Sequence, residues 1–399
     1  MENKKSLIFL HEGTFPEGYA MAFRLRMYIE MLEDKFDVQV IVPRKPKTKP
    51  SSQKYKLTAL WQTNLPSNIF LRKLSYYIQD FKWTYCLMKQ RNHFDAVFVA
   101  AMSIFPLILI TLFCKLYSKK LILELNEFPY SSQGGNFIDD LNWYKKYRRF
   151  LTENLIYRNI FGVISISPKL TQYIKRLVPH IHLVEIPILC DVQYFNSLDV
   201  QTSSEPVKKR YTVHASNLSE YKDGFSTNLK AIGKFNLEQN TEDDKIHLYI
   251  TLQGIPSLLF QSINEILVNY HLHSYVHFIG YQEDKDLFEL YKNADFLIIN
   301  KPKNLQNDYN FPTKLSEYLY FSKALLVSTN DAMDQFLIDS KNCLKFQSNN
   351  DEDLYNLIKK LISNSFQLNE LNLNARNTVI EYFDYRMNAT QINHFFSIV

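Results

Sequence analysis

The sequence predicts an α/β protein made of two doubly wound parallel sheets in tandem. Three observations carry this. The chain has 399 residues, too many for one compact core and enough for two domains of about 200 residues each. Two series of short apolar runs alternate with stretches of helical period, and strands buried on both faces with helices between them belong to parallel sheets. Between the two series lies "SLDVQTSSEPVKKR" (Ser197 to Arg210), polar and broken by a proline, which reads as a linker.

In the first half, strands are expected at Ser6–His11, Val38–Val42, Ala96–Ala100, Leu121–Leu125, Val163–Ser167 and His182–Ile186, with a helix over Ala20–Glu33. The stretch "AVFVAAMSIFPLILITLFC" (Ala96 to Cys114) carries no charge and is long enough to cross a bilayer by length alone. Ser103 and Pro106 split it, and its first part is β-branched and aromatic, so a strand, a turn and a buried helix are expected instead. In the second half the strands fall at Arg210–Ala215, His247–Leu252, Val276–Ile279, Ala294–Asn300, Ala324–Ser328 and Cys343–Phe346. Helical patterns cover Phe225–Asn236, Leu287–Lys292, Pro312–Phe321 and Leu354–Ser363.

Composition narrows the function. Hydrophobic residues make up 46% and charged residues 22%, as in a globular protein. Only 9 glycines occur, far below the usual share of about 7%, so phosphate loops built on several glycines are largely excluded. A net charge of +5 from 46 basic and 41 acidic residues is too mild for a nucleic-acid binder. The cysteines (Cys86, Cys114, Cys190 and Cys343) lie far apart, so neither structural zinc nor a disulfide framework is expected, and free thiols fit a reducing cytosol. The apolar run Leu7 to Leu10 is too short for a signal peptide, and a cytoplasmic protein is expected.

Ligands of open parallel sheets bind at the carboxyl ends of the strands. Four stretches place chemistry there. In "LHEGTFPEGYAMAFRLRMYIEML" (Leu10 to Leu32), Gly13 and Gly18 flank a loop that opens a helix, whose free N–H groups form an anion site. Arg24, early in that helix, is placed to reach a phosphate; an ordinary loop with surface arginines is the plainer alternative. In "LELNEFPY" (Leu123 to Tyr130), Glu124, Asn126 and Glu127 cluster at a strand end, where Glu127 would orient or deprotonate a hydroxyl or else belong to a polar turn. In "HASNLSEYKDGFSTNLKAI" (His214 to Ile232), Lys222 sits in a loop before a helix and would neutralise a leaving diphosphate, or else pair with Glu220 or Asp223.

The fourth stretch is "NDYNFPTKLSEYLYFSKALLVS" (Asn307 to Ser328). Pro312 suits the first helical position, leaving the N–H groups of Thr313, Lys314 and Leu315 pointing outward. Lys314 and Glu317 share a face. Glu317 is therefore placed to accept hydrogen bonds from two vicinal sugar hydroxyls, the alternative being a surface ion pair. The acidic "DED" (Asp351 to Asp353) opens an amphipathic helix and reads as a cap with first-turn acids rather than a metal site. The histidines show no zinc spacing.

Taken in order, "FPEGYAMAFRLRMYIEML", "ISISPKLTQYI", "VEIPILCDVQYF", "HASNLSEYKDGFSTNLKAI", "VHFIGYQEDKDLFELYKNADFLI" and "FPTKLSEYLYFSKALLVST" resemble the family-4 retaining glycosyltransferases of the GT-B fold over nearly the whole chain. The resemblance implies two Rossmann-like domains facing a cleft. These would be an acceptor domain over residues 1–200, a nucleotide-sugar domain over 201–375, and a last helix over 376–399 crossing back to the first. It implies sugar transfer with retention and without a metal cofactor, from a nucleotide-sugar donor to a glycan or lipid-linked oligosaccharide of surface polysaccharide synthesis. Lys222 matches the lysine on the donor diphosphate, Glu317 the glutamate on the ribose, and Gly18 the glycine of the first-domain loop. Thr313 and Lys314 join the donor side; Gly13, Arg24, Asn126 and Glu127 the acceptor side.

Three positions depart from the family pattern, one of them Glu127, which stands where the acceptor-side turn usually carries a histidine or aspartate. Tyr309 stands where a sugar-binding glutamate is expected, flanked by Asp308 and Asn310 as replacements, and Asn217 stands where an arginine is common. The changes at Tyr309 and Asn217 motivate one rival, a non-catalytic sugar-nucleotide-binding partner; a nucleotide-sugar epimerase of the same fold, which would need acid–base carboxylates and histidines in the cleft, is the other. The basic-aromatic "WYKKYRRFL" (Trp143 to Leu151) suits peripheral contact with the inner face of a membrane, or a solvated helix face equally well.

Overall fold

The computed structural model of the chain describes residues 4–16, 20–44, 55–61, 69–128, 143–198, 209–363 and 366–398. It divides into two compact units, Met1–Cys190 with Tyr385–Val399, and Asp191–Asp384. The chain thus leaves the first unit before the boundary expected at 200 and returns later than the one expected at 376.

The first unit runs β1 (Lys5–His11), α1 (Ala20–Leu32), β2 (Phe36–Arg44), β3 (Lys56–Trp61), α2 (Ile69–Lys89), β4 (Ala96–Ala100), α3 (Ile104–Leu116), β5 (Lys120–Leu125), α4 (Trp143–Leu151), β6 (Gly162–Ser165), α5 (Pro168–Leu177) and β7 (His182–Glu185). Its seven strands pair in the order β3-β2-β1-β4-β5-β6-β7, all in parallel. The chain order reverses between β1 and β4, which is the switch point where such sheets open for ligands. Right-handed crossovers place α1 on one face and α2, α3 and α4 on the other, because the two groups connect strands in opposite directions.

Strand β3 was not expected from the sequence. Its residues from Leu57 to Leu60 are only half-buried, so an edge position replaced the continuous apolar run that marks a central strand. Helix α3 also departs from expectation. The uncharged stretch does break into strand, turn and helix, but the helix is buried on one side only and exposes Phe105, Leu112 and Leu116.

The second unit runs α6 (Val192–Leu198), β8 (Arg210–His214), α7 (Glu220–Asp223), α8 (Phe225–Leu237), β9 (Ile246–Ile250), α9 (Phe260–Asn269), β10 (Val276–Phe278), α10 (Asp284–Asn293), β11 (Leu297–Ile299), α11 (Leu305–Tyr309), α12 (Leu315–Phe321), β12 (Leu325–Val327), α13 (Asp331–Asp334), β13 (Leu344–Lys345), α14 (Asp351–Ile362) and α15 (Leu368–Thr378). Its strands form two parallel ladders, β10-β9-β8 and β11-β12-β13. The ladders meet at β8 and β11, where the Asp295 N–H donates to the Tyr211 carbonyl at 2.9 Å and the Tyr211 N–H donates to the Asp295 carboxylate at 2.8 Å. This junction is the second unit's own switch point. Helix α16 (Tyr385–Ser397) then returns to the first unit. There it packs on α1 and β7 and adds Tyr385, Ile392, Phe395 and Phe396 to the core. Gly162 makes room for it, since a Cβ there would lie 2.8 Å from the Phe395 ring.

Candidate active site

In the second unit, the turn after β8 carries Lys222. Rather than sitting in a loop, Lys222 lies on the single turn of α7, capped by the Ser219 hydroxyl, which accepts from the Lys222 N–H at 3.0 Å. Gly224 ends that turn with φ of 51°. A Cβ at Gly224 would also lie 2.7 Å from Asn300 Nδ2, so only glycine fits here. The two acids that were alternative partners for Lys222 are engaged elsewhere. Glu220 accepts from the Ser226 N–H at 3.0 Å and hydroxyl at 2.6 Å. Asp223 pairs with Lys301 at 2.9 Å.

The segment after β11 clamps this turn. Asn304 Nδ2 donates to the Tyr221 carbonyl at 2.7 Å. Asn307 Nδ2 faces the carbonyls of Tyr221 at 3.1 Å and Lys222 at 3.3 Å. Asn300 Nδ2 donates to the Gly224 carbonyl at 3.2 Å, and Lys301 Nζ to the Lys222 carbonyl at 3.2 Å. Each bond contributes about 0.5–1.5 kcal/mol net, and together they hold the backbone beneath Lys222 in one shape. Sequence reading missed Lys301, Asn304 and Asn307 because their partners lie some eighty residues earlier in the chain.

Helix α12 begins at Leu315, not at Pro312. The Leu315 N–H bonds back to the Pro312 carbonyl at 3.1 Å, so it does not point outward as expected. Lys314 is the N-cap residue, and Thr313 is exposed. Glu317 is half-buried and accepts from Lys314 Nζ at 2.9 Å. Burial raises the Glu317 pKa above the ordinary carboxylate value, with Lys314 opposing the rise and Asp284 adding to it. The neighbouring Tyr318 hydroxyl accepts from the Ala215 N–H at 3.4 Å, tying α12 to the turn that leads to Lys222. Asp308 and Tyr309 lie half-buried on α11, and Asn310 follows with its carbonyl accepting from Asn330 Nδ2 at 3.1 Å.

In the first unit, Glu12 accepts from the Ser103 N–H at 3.1 Å and hydroxyl at 2.7 Å, joining the turns after β1 and β4. Gly13 allows a close approach there, since a Cβ would lie 2.6 Å from His11 Nε2. Burial lowers the His11 pKa, and the carbonyls of Ala100 and Thr14 together with Glu124 oppose that. Gly18 lies outside the described residues.

Arg24 differs from its expected role. It is buried, and its guanidinium bonds to Glu124 and to the carbonyls of Ile186 and Pro187. It braces the sheet rather than facing a ligand. Tyr28 donates to the same Glu124 oxygen at 2.7 Å. Glu124 Oε2 and Asn126 Oδ1 are buried without a hydrogen-bond partner among the described residues, both at the carboxyl end of β5. Glu127 beside them is exposed.

The acids Asp351, Glu352 and Asp353 sit in the first turn of α14 behind an Asn350 cap. Lys234 pairs with Asp351 at 2.8 Å and Glu352 at 2.6 Å.

Residues 198–378 match the family model described as Glycosyl transferases group 1. Sucrose-phosphate synthase from Thermosynechococcus elongatus superposes with a TM-score of 0.74, at 13% identity and 99% coverage of both chains. HepE from Anabaena, in complex with UDP-glucose, gives 0.68 at 14% identity over 99% of this chain and 100% of that one.

The fold is GT-B. The lipopolysaccharide outer core galactosyltransferase WaaB shares it, with a TM-score of 0.60, 13% identity, and coverage of 99% of this chain and 100% of that one. No curated protein sequence matches. The matched region spans β8 to α15, so the Lys222 turn, its clamp and Glu317 all lie within the residues similar to the glycosyl transferases group 1 model.

Proposed function

We propose that this glycosyltransferase moves a sugar from a nucleotide-sugar donor to a glycan or lipid-linked oligosaccharide. Transfer retains the anomeric configuration, needs no metal, and serves surface polysaccharide synthesis. The observation that carries this reading is the Lys222 turn, held by four side chains of the segment after β11 at the carboxyl end of β8. A fixed cation at that edge stabilises charge that develops on a departing diphosphate, and it needs no reorganisation during the reaction. HepE, whose structure contains UDP-glucose, supports a uridine nucleotide as the first donor to try.

In this mechanism the acceptor hydroxyl oxygen forms the new bond to the anomeric carbon as the carbon–oxygen bond to the diphosphate breaks. The diphosphate leaves with the electron pair beside Lys222, and one of its oxygens takes the acceptor's proton. Glu317 holds the ribose hydroxyls. Asp308 or Asn310 serves the donor sugar, with Thr313, Lys314 and Gly18 on the same donor. Asn126 and Glu127 orient the acceptor, together with the Gly13 turn. Arg24 supports that side only through Glu124. The expected place at a membrane face is carried by different residues, those of the helix beginning at Trp143.

The test is to incubate the protein with a set of nucleotide sugars and oligosaccharide acceptors, with and without a chelator. Transfer that survives chelation and conserves the donor's anomeric configuration supports the reading. Nucleotide binding without transfer to any acceptor favours the non-catalytic alternative. Conversion of the donor to its epimer favours the epimerase.

A further inference from the structure

His214, the last residue of β8, is only 8% exposed, and the reaction described above makes no use of it. Its ring meets Phe225, the first residue of α8, edge-on with centroids 5.0 Å apart. Its Nε2 lies 3.0 Å from the Ser216 hydroxyl oxygen. Burial lowers the His214 pKa, with Asp223 and the Asn217 backbone opposing that and Lys301 adding to it, so the ring stays uncharged at pH 7. A neutral imidazole holds one proton, and the nitrogen that carries it decides what Ser216 can do. With the proton on Nε2, the ring donates to the Ser216 oxygen, and the hydroxyl's own proton turns away from it. In the free protein that proton faces the Asn217 carbonyl at 3.3 Å, which is long for a hydroxyl donor, whose usual distance is about 2.7–2.8 Å.

Ser216 is half-buried at the carboxyl end of β8. In the chain it lies between two anchored points. The Ala215 N–H donates to Tyr318 on α12, the helix of Glu317, and Ser219 caps the turn of Lys222. No lysine or arginine occurs from Ala215 to Tyr221, so before Lys222 this segment offers an anion neutral donors only. We propose that Ser216, oriented by His214, is a second contact to the donor's diphosphate, its hydroxyl donating to a phosphate oxygen while Lys222 supplies the charge. Hydrogen bonds to a charged oxygen are shorter and roughly twice as strong as neutral ones, so the phosphate replaces the Asn217 carbonyl as partner. As the diphosphate departs, negative charge grows on its oxygens and the bond strengthens with it. His214 does not touch the donor; it is a positioning residue that keeps the hydroxyl proton outward. Both roles rest on the donor reading of the Lys222 turn.

The test uses the full chain and titration calorimetry with UDP, GDP, ADP and TDP, each beside its nucleoside. For a diphosphate that binds, Ser216→Ala should weaken affinity roughly tenfold, and Ser216→Thr, which keeps the hydroxyl, far less. Nucleoside affinity should be unchanged in both. His214→Phe should match the loss in Ser216→Ala, while His214→Gln, which keeps an N–H donor near the place of Nε2, restores most of it. Added to Ser216→Ala, His214→Phe should cost nothing further, a coupling that two independent structural roles would not produce. If His214→Phe does not fold, the two Ser216 variants and His214→Gln decide the matter. Full diphosphate affinity in Ser216→Ala overturns the proposal, as does an equal loss for diphosphate and nucleoside. Additive losses in the double variant, or a ring protonated on Nδ1 in nitrogen NMR spectra, overturn the part given to His214. Wild-type protein that binds none of the four diphosphates removes the donor reading as well, whereas tight wild-type binding that ignores Ser216 removes this contact alone.

Discussion

Replacing Glu317 by alanine separates ribose binding from a merely structural ion pair. In the free protein the carboxylate accepts from Lys314 Nζ at 2.9 Å. A pair three residues apart on a helix contributes only about 0.2–0.5 kcal/mol, so the melting temperature should barely move. If Glu317 instead accepts two ribose hydroxyls, the variant loses hydrogen bonds to a charged, half-buried group. That costs about 1.5–3 kcal/mol of binding, or roughly a 10- to 150-fold rise in Kd. Isothermal titration with uridine and guanosine diphosphates measures this directly, and Glu317→Gln, which keeps the shape and one acceptor, should fall between the two. Because burial raises the Glu317 pKa, nucleotide affinity should begin to weaken on acidification above the ordinary carboxylate range. Unchanged affinity in Glu317→Ala would refute the ribose assignment.

Other outcomes follow from the same structure. Lys222→Ala should lower kcat by more than it raises the donor KM, as steady-state kinetics would show; a wild-type rate rejects the leaving-group role. Asn307→Asp, nearly isosteric, turns an acceptor toward the carbonyls of Tyr221 and Lys222 and should cost about 1–3 kcal/mol in urea unfolding with a matching fall in turnover. Arg24→Met leaves Glu124 buried without its cation and should destabilise by about 3–5 kcal/mol in urea unfolding, with nucleotide affinity unchanged in the fraction that stays folded. His247 and His277 share a hydrogen bond of 2.8 Å, and burial lowers both pKa values, with Lys209 adding to the shift and Glu242 opposing it at His247. The unfolded chain therefore binds protons first, and stability is lost as pH falls through the ordinary value of 6.5. A His247→Gln, His277→Gln variant should show a shallower fall in the same pH series.

Central strands were legible in the sequence because burial on both faces leaves an unbroken apolar run, as in "AVFVA" of β4. Edge strand β3 was not, because half-burial dilutes that signal. Lys222 and Glu317 were legible as residues at turns and helix starts. The side chains that hold the Lys222 turn were not, since Asn304 and Asn307 read as loop asparagines until the fold brings β11 beside β8. Arg24 misled for the same reason. Its position near a loop suggested a ligand, while its real partner, Glu124, lies on a strand four places later in chain order. Local pattern reveals which face a residue occupies; it does not reveal what the chain brings to that face from a distance.

Helix α16 has a consequence for the order in which the protein assembles. The first unit's core includes Tyr385, Ile392, Phe395 and Phe396, yet the whole of the second unit is synthesised before them. Domains emerging from a ribosome usually fold in the order they are made. Here the half that is made first is completed last, and until residue 396 emerges its sheet must keep the apolar surface that α16 covers away from other chains. A chain stopped at Asp384 should therefore show native-like protection over 191–384 and rapid hydrogen exchange in β1 and β7. Equal protection in both halves would show that the first unit closes without its final helix.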